Sequence, residues 1–302
     1  MSSKVKAFFA VVGVLPVITA VAVFVMAPLL VAQSPSAQFW ITDLGTLLGD
    51  EHSTAFSINN CGQIVGNSYT VYGEGHAVLW EKGSIRDLGM LPGDDYSEAR
   101  DINNRGQIVG FSWTSTGKSH AVLWEYGTIT DLGTLGGYSE ALDINNRGQI
   151  VGLSSNLGGE CHAVLWEKGS IRDLGMLPGD NFSEAYGINN PGQIMGRSGM
   201  MGGGGHEGHA VLWEKGTITR LDTLIMHTYG GVAFGINNRG QIVFESTTLT
   251  GGHAVIWEKG TVTDLGIVPG AAGLSCAFGI NDLGQVVGWS TSTGGHAVIW
   301  TR

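Results

Sequence analysis

The chain has 302 residues, 49 of them glycine, with 26 acidic against 16 basic side chains and a formal charge of −10. That balance excludes nucleic acid and an anionic membrane surface as partners, because both require a basic patch. Cys61, Cys161 and Cys276 show no CxxC spacing, so they form neither a zinc motif nor a disulfide framework; they read as small buried or half-buried thiols, with any pairing among them left open.

Lys4 and Lys6 precede a run without charge, residues 7–32, broken only by Gly13, Pro16, Thr19 and Pro28. Lysines before an apolar run keep the amino terminus inside and send the remainder outward. The Leu-Val-Ala at 30–32 suits a signal peptidase, whereas 26 residues exceed the usual signal core of about 7–15 and suffice to span a bilayer. Residues 1–32 are thus a signal peptide or a transmembrane anchor, and 7–32 is the only membrane contact expected. A polar linker, 33–38, leads to an exported domain, 39–302, carrying 14 basic against 26 acidic residues.

That domain is one motif repeated. Residues 120–152 read HAVLWEYGTITDLGTLGGYSEALDINNRGQIVG, and the pattern returns six times, whole or nearly so. The Ala-Val-Leu-Trp run at 121–124 and the β-branched run at 128–131 are two strands around a tight turn in which glycine supplies a positive φ. Ser-Glu-Ala-Leu-Asp-Ile-Asn at 139–145 and Gln-Ile-Val-Gly at 149–152 are two more, turned at Asn146-Arg-Gly148. The motif's tryptophans, Trp80, Trp124, Trp166, Trp213, Trp257 and Trp300, are spaced by 44, 42, 47, 44 and 43 residues. A period of roughly 40–45 residues with four strands each is the signature of propeller blades. The expected fold is all-β: a six-bladed β-propeller of four-stranded antiparallel blades. The sixth copy lacks its Asp-Leu-Gly strand, and an isolated one stands at 40–45. Pairing 40–45 with 296–300 would complete the last blade and close the ring, leaving no open edge.

The motif Gly-x-His-Ala-Val-Leu-Trp-Glu-x-Gly-x-Ile-x-Asp-Leu-Gly, followed by Ser-x-Ala-x-x-Ile-Asn-x-x-Gly-Gln-Ile-Val-Gly-x-Ser, resembles the HAF repeat of bacterial extracellular proteins. The resemblance covers residues 42–300, with Val where the third signature letter is usually Phe. It implies export and a repeat architecture, and it brings no reaction, substrate or catalytic residue.

The repeated polar residues fit structural roles. His76, His120, His162, His209, His253 and His296 are spread round the ring and cannot converge on one ion; the expected partners are Ser97, Ser139 and Ser183 and Asp87, Asp131 and Asp173. Asn59, Asn103, Asn145, Asn189, Asn237 and Asn281 precede a turn, where their side chains can bond nearby backbone. The acidic loops at 92–98 and 178–184 could frame calcium, but they lack the dense Asp spacing of an EF-hand loop, and a solvated charged turn is the commoner explanation. Residues 76–94 and 162–180 are identical over 19 positions, as in a duplicated two-blade unit.

A reaction needs different groups at one place, so an active site should show as a departure from the repeat. Departures gather in the fourth and fifth copies: the insertion at 197–208, the loop 223–231, and Phe244-Glu245 in place of glycine and a variable residue. There His206, Glu207, His227 and Tyr229 are candidate ligand-binding residues, and Met200, Met201, His206, Met226 and His227 are candidate metal ligands of a set that suits copper. A worn glycine-rich repeat is the competing explanation. The acids offer no pair set apart from the repeat. The sequence therefore points to an exported, non-catalytic binding or structural module for an extracellular ligand or protein, without cofactor. The alternatives are a cell-surface or periplasmic enzyme acting on polysaccharide and a metal-binding propeller.

Overall fold

The computed structural model describes residues 43–200, 207–221, 232–248, 251–267, 274–291 and 295–301. Each copy of the motif folds as an antiparallel meander. The first is β1 (His52–Ile58), β2 (Ile64–Tyr69), β3 (Gly75–Glu81) and β4 (Ser84–Asp87); the second is β5 (Tyr96–Ile102), β6 (Ile108–Trp113), β7 (Ser119–Glu125) and β8 (Thr128–Asp131). The third is β9 (Gly136–Ile144), β10 (Ile150–Asn156), β11 (Cys161–Glu167) and β12 (Ser170–Asp173). The fourth is β13 (Phe182–Ile188), β14 (Ile194–Met200), β15 (Glu207–Glu214) and β16 (Thr217–Arg220). The fifth is β17 (Val232–Ile236), β18 (Ile242–Thr248), β19 (Gly251–Glu258) and β20 (Thr261–Asp264), and the sixth has three described strands, β21 (Ser275–Ile280), β22 (Val286–Thr291) and β23 (Gly295–Trp300). One parallel bridge, Gly75 to Tyr96, joins the first two meanders into a single sheet, and among the described residues no sheet closes on itself.

Two local devices recur. The outer hairpin turns on two residues of positive φ, such as Lys82 (52°) with Gly83 (76°), which is the type I′ geometry that matches strand twist. The sequence accounts for the glycine alone; the residue before it is left-handed as well. The second device is a bulge in each inner strand. In β5 the pairing passes from Ala99 to Asp101 and leaves Arg100 without a partner. In the second and third meanders the glycine of Gln-Ile-Val-Gly closely faces the bulge: a Cβ on Gly110 would sit 1.9 Å from the Glu98 carbonyl oxygen, and one on Gly152 would sit 2.0 Å from that of Glu140; the fifth meander carries the same bulge, between Ala233 and Gly235, with Phe244 at that position.

Meanders pack face to face, so the Ala-Val-Leu-Trp strands are buried on both sides instead of alternating. Val65, Ala77 and Leu79 of the first pack with Ala99, Ile102 and Trp124 of the second. The same contact recurs down to the junction of the fifth and sixth, where Val243, Ala254 and Ile256 meet Ala277 and Val286. The two end faces differ. Ile58 is 63% exposed where its counterpart Ile102 is 4% exposed, and Ile299 is 59% exposed where Leu79 is 3% exposed.

The three cysteines are free thiols, Cys161 and Cys276 buried and Cys61 exposed. Residues 1–42 lie outside the described residues, and with them the signal or anchor at 7–32. Among the described residues no helix is long and apolar enough to cross a membrane.

Candidate functional site at the axial turns

The turns that follow the six inner strands surround one cavity of about 440 Å³, lined by each Ile-Asn-Asn segment and its Ile-Asn-Asp equivalent at 280–282. The repeated asparagine builds this rim. Asn145 Oδ1 accepts the amides of Arg147 and Gln149, while its Nδ2 donates to Gln149 Oε1 (2.7 Å) and to the Asn189 carbonyl of the next meander (3.0 Å). The same inter-meander bond runs from Asn59 to Asn103, Asn103 to Asn145, Asn189 to Asn237 and Asn237 to Asn281. A parallel ladder links the second asparagines, whose side-chain oxygens accept the preceding meander's amide, as Asn146 does from Asn104 (2.9 Å). Asp282 ends that ladder: the Asn238 side chain and amide donate to its carboxylate and hold it below the ordinary aspartate range.

One step into the cavity wall, the position before the isoleucine reads Ser57, Asp101, Asp143, Gly187, Gly235 and Gly279. Asp101 and Asp143 are a carboxyl pair set apart from the repeat, which corrects the expectation that none exists. Ser57 donates to Asp101 Oδ1 (2.6 Å). The Ile144 amide is shared by Asp101 Oδ2 (3.0 Å) and Asp143 Oδ1 (2.8 Å), and the Ile188 amide donates to Asp143 Oδ2 (2.6 Å). The two carboxyls thus share the Ile144 amide as a common donor. Burial above all, and then the charge of Asp101, hold Asp143 well above the ordinary range. Comparing the six copies at this one position would have revealed the pair.

Beside the pair lies a second set of acids. Arg100 Nε forms an ion pair with Glu98 Oε1 (2.7 Å), and Arg197 Nε donates to Glu184 (2.6 Å), to which the Tyr186 hydroxyl also donates. Glu140 stands between these groups, its carboxyl raised first by burial.

Other motif residues are committed to the fold. His76, His120, His162 and His253 meet Asp87, Asp131, Asp173 and Asp264 at 2.7–3.2 Å, on a half-exposed surface. The serines are not their partners: Ser97, Ser139 and Ser183 accept the amide of the next residue, Ala77, Ala121 and Ala163. In the acidic loops, Asp94 and Asp180 accept the hydroxyls of Ser112 and Ser198.

Of the candidates in the fourth and fifth copies, Met200 ends β14, exposed, with Glu207 opposite it in register. Met201, His206, Met226, His227 and Tyr229 lie outside the described residues. Among the described residues no three His, Cys, Asp or Glu side chains are placed to hold a metal. One departure there is packing: Phe244 is buried in one cluster with Met195, Leu221 and Ala233.

No family model and no curated protein sequence matches the chain. Solved structures do. The β-propeller domain of the Trilobed protease from Pyrococcus furiosus, described as having an open velcro topology, matches 82% of this chain and 78% of its own at 14% identity, TM-score 0.55. A prolyl endopeptidase matches 82% of this chain at 12% identity, TM-score 0.55, and a puromycin hydrolase mutant matches 83% at 14%, TM-score 0.53. The likeness shows a propeller fold. The chain covers 42% and 43% of the last two proteins, less than half of each.

Proposed function

We propose that the chain is an exported HAF-repeat protein, a six-bladed propeller closed by residues 40–45 against β23, that works by non-covalent binding. The supporting observation is how its polar groups are spent. The repeated histidines, asparagines and serines are consumed by the scaffold, so recognition falls to the few positions that break the repeat. Asp101 and Asp143 are the clearest of these, and they line the axial cavity. Export is proposed from the apolar run after Lys4 and Lys6.

The carboxyl pair also favours a second reading, an enzyme acting on polysaccharide. Thermal-shift screening of the full chain with polar small molecules, glycans and divalent metals separates the two. A ligand at a hundredfold excess over its dissociation constant should stabilise the fold by about 2.7 kcal/mol. Release of reducing ends from a polysaccharide, abolished in both Asp101→Asn and Asp143→Asn, would replace the binding reading with the enzymatic one.

A further inference from the structure

We infer that the groove between the first and second meanders, walled by Tyr72, Tyr96 and Trp113 and edged by Glu74 and Asp95, is a binding site for neutral pyranose sugars. The inference rests on the binding-module reading and names one ligand class, at a place separate from the axial cavity. The groove encloses about 450 Å³, within the range of roughly 300–1,000 Å³ common to small-ligand sites.

Its floor is built rather than incidental. The Gly75–Tyr96 bridge draws the two meanders together there. A Cβ on Gly75 would lie 2.3 Å from the Tyr96 ring, so the absence of a side chain seats that ring. The Tyr96 hydroxyl donates to Glu98 (2.9 Å) and accepts from Asn67 Nδ2 (2.7 Å), which fixes the ring's angle. Trp113 leans on it with centroids 5.1 Å apart, and Tyr72 stands 91% exposed on the facing turn. Asp95 is fixed by the Ser115 amide (2.7 Å), which with the Ser115 hydroxyl holds it below the ordinary carboxylate range and keeps it an acceptor.

Duplication supplies an internal control. The stretches 76–94 and 162–180 are identical, yet at the junction of the third and fourth meanders the groove residues are replaced. Tyr72 corresponds to Gly158, Gly75 to Cys161, Asp95 to Asn181, Tyr96 to Phe182 and Trp113 to Gly199. The scaffold was copied and the aromatic wall belongs to one copy only.

The chemistry selects the ligand. Aromatic rings with polar edges match the C–H face of a pyranose, and its outward hydroxyls can donate to Glu74 and Asp95. Carboxylates accept and cannot donate when ionised, so they repel uronic acids. They also leave the carbonyls of a proline-rich peptide, the other common guest of aromatic grooves, without charged donors.

The test is calorimetric titration of the full chain with cellohexaose and chitohexaose, alongside polygalacturonate and a proline-rich decapeptide. At least one neutral oligosaccharide should bind, and Trp113→Ala and Tyr72→Ala should each weaken it roughly tenfold or more, as loss of an aromatic anchor does. Tyr126→Lys, an exposed tyrosine changed to the residue of the equivalent position 82, should leave binding unchanged. Tyr72 sits on an exposed turn, so its variant carries the test if Trp113→Ala misfolds. Three outcomes overturn the proposal: neither neutral oligosaccharide binds, binding is indifferent to Tyr72 and Trp113, or polyuronate or peptide binds there instead. Binding that survives both substitutions but is lost in Asp101→Asn would discard the groove and keep the binding module.

Discussion

Asp143 is buried beside Asp101 in a wall otherwise made of paired amides, and this has a thermodynamic sign. Burial and the neighbouring charge raise Asp143 in the folded chain above the unfolded value of about 3.9. The folded state therefore binds the proton more tightly than the unfolded one. Its contribution is fully present below the ordinary aspartate range and is lost as pH rises through the raised folded value. Glu140, raised by burial, acts in the same direction. Asp101→Asn removes the neighbouring charge, so Asp143 should ionise more easily and the decline of stability with pH should flatten. Urea unfolding from pH 4 to 8 reads this directly: the variant should gain on the wild type as pH rises, and parallel curves would deny the coupling. The half-exposed His–Asp pairs carry no comparable weight, because solvent screens exposed ion pairs to roughly 0–1 kcal/mol.

The bulged inner strand decides how each meander is built. In the third meander it faces one glycine in the adjacent strand, where a Cβ on Gly152 would meet the Glu140 carbonyl at 2.0 Å, whereas the fifth meander keeps the bulge with Phe244 there. Backbone gives way less readily than a side-chain tip. Gly152→Ala should therefore cost about 3 kcal/mol or more, the upper end of overpacking, in chemical denaturation, whereas Leu153→Ala beside it, half-buried, should cost less. Equal losses would mean that the bulge yields. The meanders were legible from the sequence because tryptophan, Glu-x-Gly and Asn-x-x-Gly-Gln recur with a fixed period. The bulge was not, since the glycine of Gln-Ile-Val-Gly looks like any strand glycine until a carbonyl is placed above it. The histidine partners were half legible: aspartate and serine both recur at suitable positions, and only the pairing register, which puts Val122 opposite Asp131, brings the aspartate to the ring. Asp101 and Asp143 were hidden at a position that the motif treats as variable.

At the scale of the molecule, the two end faces of the stack have the chemistry of its internal junctions. The inner isoleucine of the second to sixth meanders, and the residue before the tryptophan in the first to fifth, sit in inter-meander clusters or beside them; Ile58 and Ile299 instead face outward. Residues 43–45 already hold the form of an outer-strand end. The Gly45 amide bonds Asp43 Oδ1 (2.9 Å) and the Gly45 carbonyl accepts Trp80 Nε1 (3.3 Å), as Gly89 does with Asp87 and Trp124. In every complete meander the outer aspartate position pairs with the valine of Ala-Val, as Val78 pairs with Asp87. Ring closure would set Asp43 opposite Val298 and Thr42 opposite Ile299. Deleting residues 33–42 keeps the bonds of Asp43 and Gly45 and removes only the proposed pairing. The truncated chain should lose about 3 kcal/mol or more, the order of a few unpaired backbone groups, and should self-associate through its exposed strand edge. A Thr42→Cys, Ile299→Cys double variant should form an intramolecular disulfide under mild oxidation, as the same register requires. Unchanged stability of the truncation together with no cross-link would leave the ring open, and the exposed faces of Ile58 and Ile299 would then need a different partner.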